Sequence, residues 1–241
     1  MRARKTTSPR NHNRRAFVVM LGNAALAFWN GIAPGGDAEF LAWHVSEHIP
    51  ERVGLPGFLR GRRYVASRGS PRYFNFYETE SLGVLESPVY RDRLDHPTPW
   101  TARVVATFVD TSRTMCRVAH TRGIGEGAWM QTIRFAFPSA ARDTAISTLI
   151  RILDDLPART ALVGAHLLDG VQRETKPTRE LELRGTPDAQ IDGVLLIEAA
   201  DEATLDSLAE RELADDSLRQ AGVGAIARGN YQLQYSLSAS R

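Results

Sequence analysis

Cysteine is almost missing: Cys116 is the only one in 241 residues. An internal disulfide and a multi-cysteine zinc site are therefore excluded, and a buried structural thiol is the simplest role left to it. Long apolar runs are missing too. Nothing beyond the N-terminal region approaches the roughly 18–20 apolar residues of a membrane span. Gly123-x-Gly125-x-Gly127 lacks both the G-x-G-x-x-G spacing and a following helix, which argues against nucleotide binding. A G-x-S-x-G elbow and a cysteine–histidine pair with local support are likewise absent.

A surplus of basic charge is absent from the body of the chain. The formal net charge is +2, yet residues 1–15 hold Arg2, Arg4, Lys5, Arg10, Arg14 and Arg15 and no acid. The remainder carries 24 basic against 28 acidic side chains. That is no footprint for a phosphate backbone, so neither nucleic acid nor a membrane is an expected partner. Asn13-Arg14-Arg15-Ala16-Phe17 and the apolar run that follows it resemble a twin-arginine signal. Cleavage after Ala27, however, would leave a stub of the first core strand. A cytoplasmic protein with a flexible basic tail over 1–19 is the expectation.

What is present is ordinary for a soluble domain, 43% hydrophobic and 24% charged, and long enough to bury a large core unaided. Its organisation emerges when the chain is compared with itself. Trp43–Arg63 (WHVSEHIPERVGLPGFLRGRR) lies without gaps over Ile150–Gly170 (IRILDDLPARTALVGAHLLDG), pairing Pro50 with Pro157 and Gly57 with Gly164. Tyr77-Glu78 then matches Ile197-Glu198. Each half reads β-α-β-β-α-β. In the first, strands at Ala24–Asn30, Phe58–Ser67, Tyr73–Glu80 and Val109–His120 surround a helix that starts at Asp37 and helical pieces over 81–86 and 88–94. In the second, strands Trp129–Phe137, Leu162–Val171, Ile191–Ala199 and Tyr231–Ser238 surround helices Ser139–Leu156 and Asp201–Leu213.

Such a unit forms a four-stranded antiparallel sheet with both helices on one face. Its bare face must be buried, so an α+β fold is expected: two tandem ferredoxin-like repeats, 20–122 and 128–241, packed sheet to sheet as an intramolecular α/β barrel. Gly123–Gly127 is the linker between them. Gln172–Gln190 reads as a long polar loop over or beside one end of the sheet.

The chemically suggestive cluster is His44-Val45-Ser46-Glu47-His48. Its H-x-x-E-H order matches a metalloprotease signature, but Pro50 ends the helix at once and no downstream glutamate supplies a third ligand, so no metal is expected. Phe40 to Arg52 followed by Pro56-Gly57-Phe58, with Arg62-Arg63-Tyr64 and Tyr77-Glu78-Thr79-Glu80 further on, resembles the EthD-like branch of the dimeric α/β-barrel proteins. The likeness covers about residues 37–101. It implies a ligand cavity between helix and sheet, usually in barrels made by two chains, and it spans catabolic enzymes, haem enzymes and proteins without known activity.

The ungapped repeat sets Arg151 opposite His44 and Asp155 opposite His48, which favours a single site in the first half. Histidine beside an apolar stripe is also a common packing residue. His44 and His48 are the candidate acid/base pair. Trp43, Arg62, Tyr64, Tyr77 and Trp100 are the candidate substrate-binding residues; Arg62 and Tyr64 share one face of their strand, and the alternative there is an exposed edge paired with Glu78 or Glu80. Tyr73, Asn75 and Tyr77 alternate with Phe74 and Phe76, one set facing the helices and the other the barrel interior. The expected function is cofactor-independent isomerase, lyase or hydrolase chemistry on a small aromatic or lactone-like metabolite. Haem binding and non-catalytic small-molecule binding are the alternatives, and the outer edges leave room for a homodimer.

Overall fold

Inward and outward residues alternate along the strands, and that alternation closes the sheet. A computed structural model describes residues 19–138, 142–157, 161–174 and 176–240. The first half contains β1 (Ala24–Ile32), α1 (Asp37–Trp43), a π-helical turn (His44–His48), α2 (Ile49–Val53), β2 (Phe58–Arg68), β3 (Tyr73–Thr79), α3 (Leu82–Leu85), α4 (Pro88–Asp95), α5 (Pro99–Val105) and β4 (Phe108–Gly123). The second contains β5 (Trp129–Ala136), α6 (Arg142–Asp154), β6 (Leu162–Gly170), α7 (Arg179–Arg184), β7 (Gly193–Ala199), α8 (Glu202–Glu210), α9 (Asp215–Gln220) and β8 (Gly224–Ser238). No helix among the described residues is long and apolar enough to cross a membrane.

The strands form a closed antiparallel barrel in the order β1-β3-β2-β8-β5-β7-β6-β4. Two of its seams join the halves: β2 pairs with β8, and β4 pairs with β6. The expected α+β barrel of two β-α-β-β-α-β halves is therefore the observed fold. Its interior is filled by side chains from both halves, among them Trp29, Phe74, Phe76, Met130, Leu196 and Tyr231. On the outside, α6, α8 and α9 seal the second sheet with a leucine-rich layer, while the helices of the first half cover theirs with two smaller aromatic clusters.

Several boundaries differ from the sequence reading. Val19, assigned to the tail, is buried at the barrel end, where its carbonyl accepts from Arg60. Residues 1–18, and the expected helix start at 139–141, lie outside the described residues. The 172–190 loop contains α7, capped by Thr178. Trp100 lies in α5, which forms because Thr98 caps the helix and Pro99 suits its first turn. The segment 214–220, unassigned from sequence, forms α9.

Register corrects the repeat alignment. Phe58 pairs with Thr79 and Leu162 with Ala199, each followed by a one-residue bulge, so Arg62 and His166 occupy equivalent places, opposite Phe76 and Leu196. The strand offset is thus 104, and along β1 and β5 it is 105, since Ala24 and Trp129 pair with the same two residues, Thr79 and Ala199. Matching Gly57 to Gly164 overshot by three. Carried along the helix without gaps, the corrected offset puts Thr148 or Leu149 opposite His44 and Ile152 or Leu153 opposite His48. At either offset the second half still lacks the histidine pair.

Candidate functional site

Pro50 shapes the histidine segment. Having no N–H, it cannot bond the carbonyl four residues back, and its ring crowds that turn. The chain answers with a π turn, in which the Ile49 amide reaches back five residues to the His44 carbonyl, and then continues as α2. The helix therefore does not end at Pro50. Five-residue bonding sets residues five apart one above the other, which puts the Trp43 and His48 rings at 4.3 Å. The two imidazoles stack at 5.3 Å and 20°.

Beneath them lies Gly61 of β2. A Cβ at this position would stand 3.1 Å from both Ile49 and the Tyr77 ring. Glycine lets Tyr77 lie close against the strand, with its hydroxyl 3.1 Å from His44 Nε2. Glu47, the centre of H-x-x-E-H, is turned elsewhere and accepts from Thr98 (2.5 Å) and Thr101 (2.8 Å), pinning α5 to the π turn. Trp43 joins the same network through its indole N–H to Thr101 (3.0 Å). Among the described residues no three His, Cys, Asp or Glu side chains are grouped as a metal site.

Trp43, His48 and Tyr77 line a small cavity of about 30 Å³, walled also by Arg52, Phe28, Phe58 and Phe108. Through Tyr90, Leu94, Arg113, Glu180 and Arg184 it adjoins an outer chamber of about 520 Å³. Glu180 comes from α7 of the second half, and its carboxylate accepts from Arg52 at 2.6 Å. Arg184 of the same helix is paired with Asp188 at 2.7 Å. Arg52, Arg113 and Glu180 were not singled out from sequence. Arg52 stands four residues after His48 and was visible in the motif; Glu180 is distant in sequence and depends on a helix hidden in a polar loop.

Other candidates fall elsewhere. Arg62 and Tyr64 point into the barrel, on the opposite side of the sheet from His44 and His48, so they are not part of this cavity. The pairing of Arg62 with Glu78 is observed, with Glu198 as a second partner, both at 3.1 Å, but in the buried interior and not at an exposed edge. Trp100 packs against the cluster of Phe40, Trp43 and Phe108 and lines neither chamber. The expected alternation on β3 is observed: Tyr77 faces the helices, and Phe74 and Phe76 face the interior.

Burial holds both imidazoles well below their ordinary value, with Arg63 and Arg52 adding repulsion at His44, and Arg52 and His44 at His48. Both are therefore neutral near pH 7, and each is a weaker base than a free imidazole. Burial also raises the Tyr77 hydroxyl, with Arg52 opposing, and keeps it protonated. A consequence for stability has a definite sign. The unfolded chain binds protons at these histidines below about pH 6.5, while the folded chain resists until lower pH. Stability is full above that value and declines as pH falls, by up to about 1.4 kcal/mol per pH unit for each histidine. Urea melts between pH 7 and 5 should show this slope, and the double variant His44→Gln/His48→Gln should flatten it.

No protein-family model and no curated protein matches this sequence. Solved structures do match in shape. An anthrone oxidase-like protein superposes with a TM-score of 0.65 at 14% identity, over 90% of this chain and 93% of the other. A protein from Fusobacterium nucleatum described as a candidate monooxygenase gives 0.57 at 10%, over 91% and 96%. Chlorite dismutase from Candidatus Nitrospira defluvii gives 0.52 at 9%, over 88% and 92%. The fold is that of the dimeric α+β barrel. Here a single chain supplies both halves of the barrel. At such identities the likeness carries the fold alone.

Haem, allowed by the sequence resemblance, does not fit this barrel as packed. No histidine lines the 520 Å³ chamber. The histidine-lined cavity, at about 30 Å³, holds two water-sized groups at most and no porphyrin.

Proposed function

We propose that the chain is a small-molecule enzyme of the EthD-like kind, with one general acid/base site in its first half and His48 as the proton-transferring group. The observation that carries this reading is a neutral, partly accessible imidazole at the end of a two-chambered cavity, packed against the rings of Trp43 and His44. A base that remains unprotonated at neutral pH can take a proton from a substrate or from a water, and return it later. His44, buried and tied to Tyr77, positions the stack. Isomerisation, elimination and hydrolysis of an aromatic or lactone-like metabolite all use such a group, with no bound cofactor required.

A turnover screen with small lactones and phenols tests this. Once a substrate is found, His48→Ala should lower kcat by about 10²–10⁴-fold, the usual contribution of a positioned acid/base. Its melting midpoint should stay within a few degrees, because the ring borders a cavity. Full activity in His48→Ala overturns the assignment. The binding alternative predicts stabilisation by ligand without conversion. The haem alternative predicts a Soret band when haem is added to the purified protein.

A further inference from the structure

The neck between the two chambers holds one guanidinium, that of Arg113, with no carboxylate at ion-pair distance among the described residues. Arg52 is matched by Glu180 and Glu51, and Arg184 by Asp188. Arg113, on β4, lines both chambers. Its guanidinium donates to the Tyr90 hydroxyl at 2.9 Å. One further buried donor in the same wall, Arg184 Nε, has no hydrogen-bond partner, whereas Arg52 Nη1 faces the Glu51 carboxylate at 3.3 Å. A cation withdrawn from water without a counter-charge is costly, and donors left unbonded add to that cost. Such a neck is complete only when an anion sits in it.

The chamber volumes say how the rest of that anion is shaped. The inner cavity, about 30 Å³, admits a carboxylate, a carbonyl or a water but not a ring. The outer one, about 520 Å³, takes a ring system, and Leu85, Leu94, Met115 and Leu181 give it apolar walls. A single guanidinium left to pair calls for a monoanion. We infer that the site takes a small aromatic or lactone acid, its carboxylate on Arg113 at the neck and its apolar body in the outer chamber, with Arg113 as the specificity-determining residue. This rests on the acid/base reading of His48, to which it adds the substrate class. The carboxylate and His48 then face the same 30 Å³ space, so the reacting atom lies near the acid group and not at the far end of the molecule.

The test compares acids with their neutral twins on the intact chain: benzoate and 2-naphthoate against benzamide and 2-naphthamide, by thermal shift and calorimetric titration. The acids should raise the midpoint in a dose-dependent way, and the amides should not. Arg113→Met should weaken binding of the acids by about tenfold to a hundredfold, the worth of hydrogen bonds to a charged group, and Arg113→Lys should restore part of it. Equal effects of acid and amide, no effect of either acid, or unchanged binding in Arg113→Met overturn the inference. Should Arg113→Met fail to fold, the contrast of acid and amide in wild type and in Arg113→Lys decides. His48→Ala should keep the preference for acid over amide, because Arg113 is intact. Turnover surviving in that variant alongside acid selectivity overturns the acid/base reading alone. Turnover lost without acid selectivity overturns this inference alone.

Discussion

Arg62→Met should cost this protein about 3–5 kcal/mol of stability, a fall of roughly 10 °C or more in melting temperature for a chain this size. Arg62 is fully buried in the barrel and donates to Glu78 of the first half and Glu198 of the second, both at 3.1 Å. Removing it would leave two carboxylates in the interior with one strong counter-charge fewer. Glu78 would keep Arg60 (2.6 Å) and the Leu21 amide (2.7 Å). Glu198 would be worse off, retaining the Gly127 amide at 2.8 Å and His166 at 3.5 Å. Burial alone pushes Glu198 up, and it is chiefly Arg62, with His166 and the Gly127 amide, that holds it down at about 2.

That asymmetry makes the prediction specific. Without Arg62 the Glu198 carboxyl would titrate much higher, so the variant should recover part of its loss between pH 7 and 5, where wild type is losing stability. Adding Glu198→Gln to Arg62→Met should restore stability at pH 7, because it removes the stranded charge. Urea melts of wild type, single and double variants check both points. A single variant within about 1 kcal/mol of wild type, or a double variant no better than the single, would show that the ion network does not hold the halves together.

Much of this fold was legible because strand alternation and helical spacing are local signals. That Phe74 and Phe76 share one face and Tyr73 and Tyr77 the other follows from period two alone, as does the separation of Arg62 from Arg63. Which face was which could not be read, since β2 presents arginines on both. The repeat alignment slipped by three residues because prolines and glycines, its anchors, mark turns whose positions are free to drift. Ladder register is not free in this way: a one-residue slip exchanges the faces of a strand. At the site, the histidines and Trp43 were visible as a helical cluster. Arg113 and Glu180 were not, because their meeting depends on α7 reaching from the second half across to the first.

Cutting the chain in the 123–127 linker should abolish the fold of both pieces. Fragment 1–124 would keep β1 to β4 but expose the inner face carrying Trp29, Tyr64, Phe74 and Phe76, and fragment 125–241 the face carrying Met130, Leu168, Leu196 and Tyr231. Each would also open the two edges now closed by β2–β8 and β4–β6 pairing, and unpaired edges beside bare apolar faces drive self-association. The charges would suffer as well, for Arg62 would lose Glu198 in one fragment and Glu198 would lose Arg62 in the other. Both fragments should therefore aggregate or pair with themselves on size exclusion, whereas the intact chain should unfold in one cooperative transition, with the same midpoint by tryptophan fluorescence and by circular dichroism. Mixing the two pieces during refolding should regain soluble, folded protein, because the seams are complementary between halves. Two monomeric fragments that each unfold cooperatively would mean that the halves are separate domains, and the reach of Glu180 into the first half's cavity would then be a docking contact instead of part of one core.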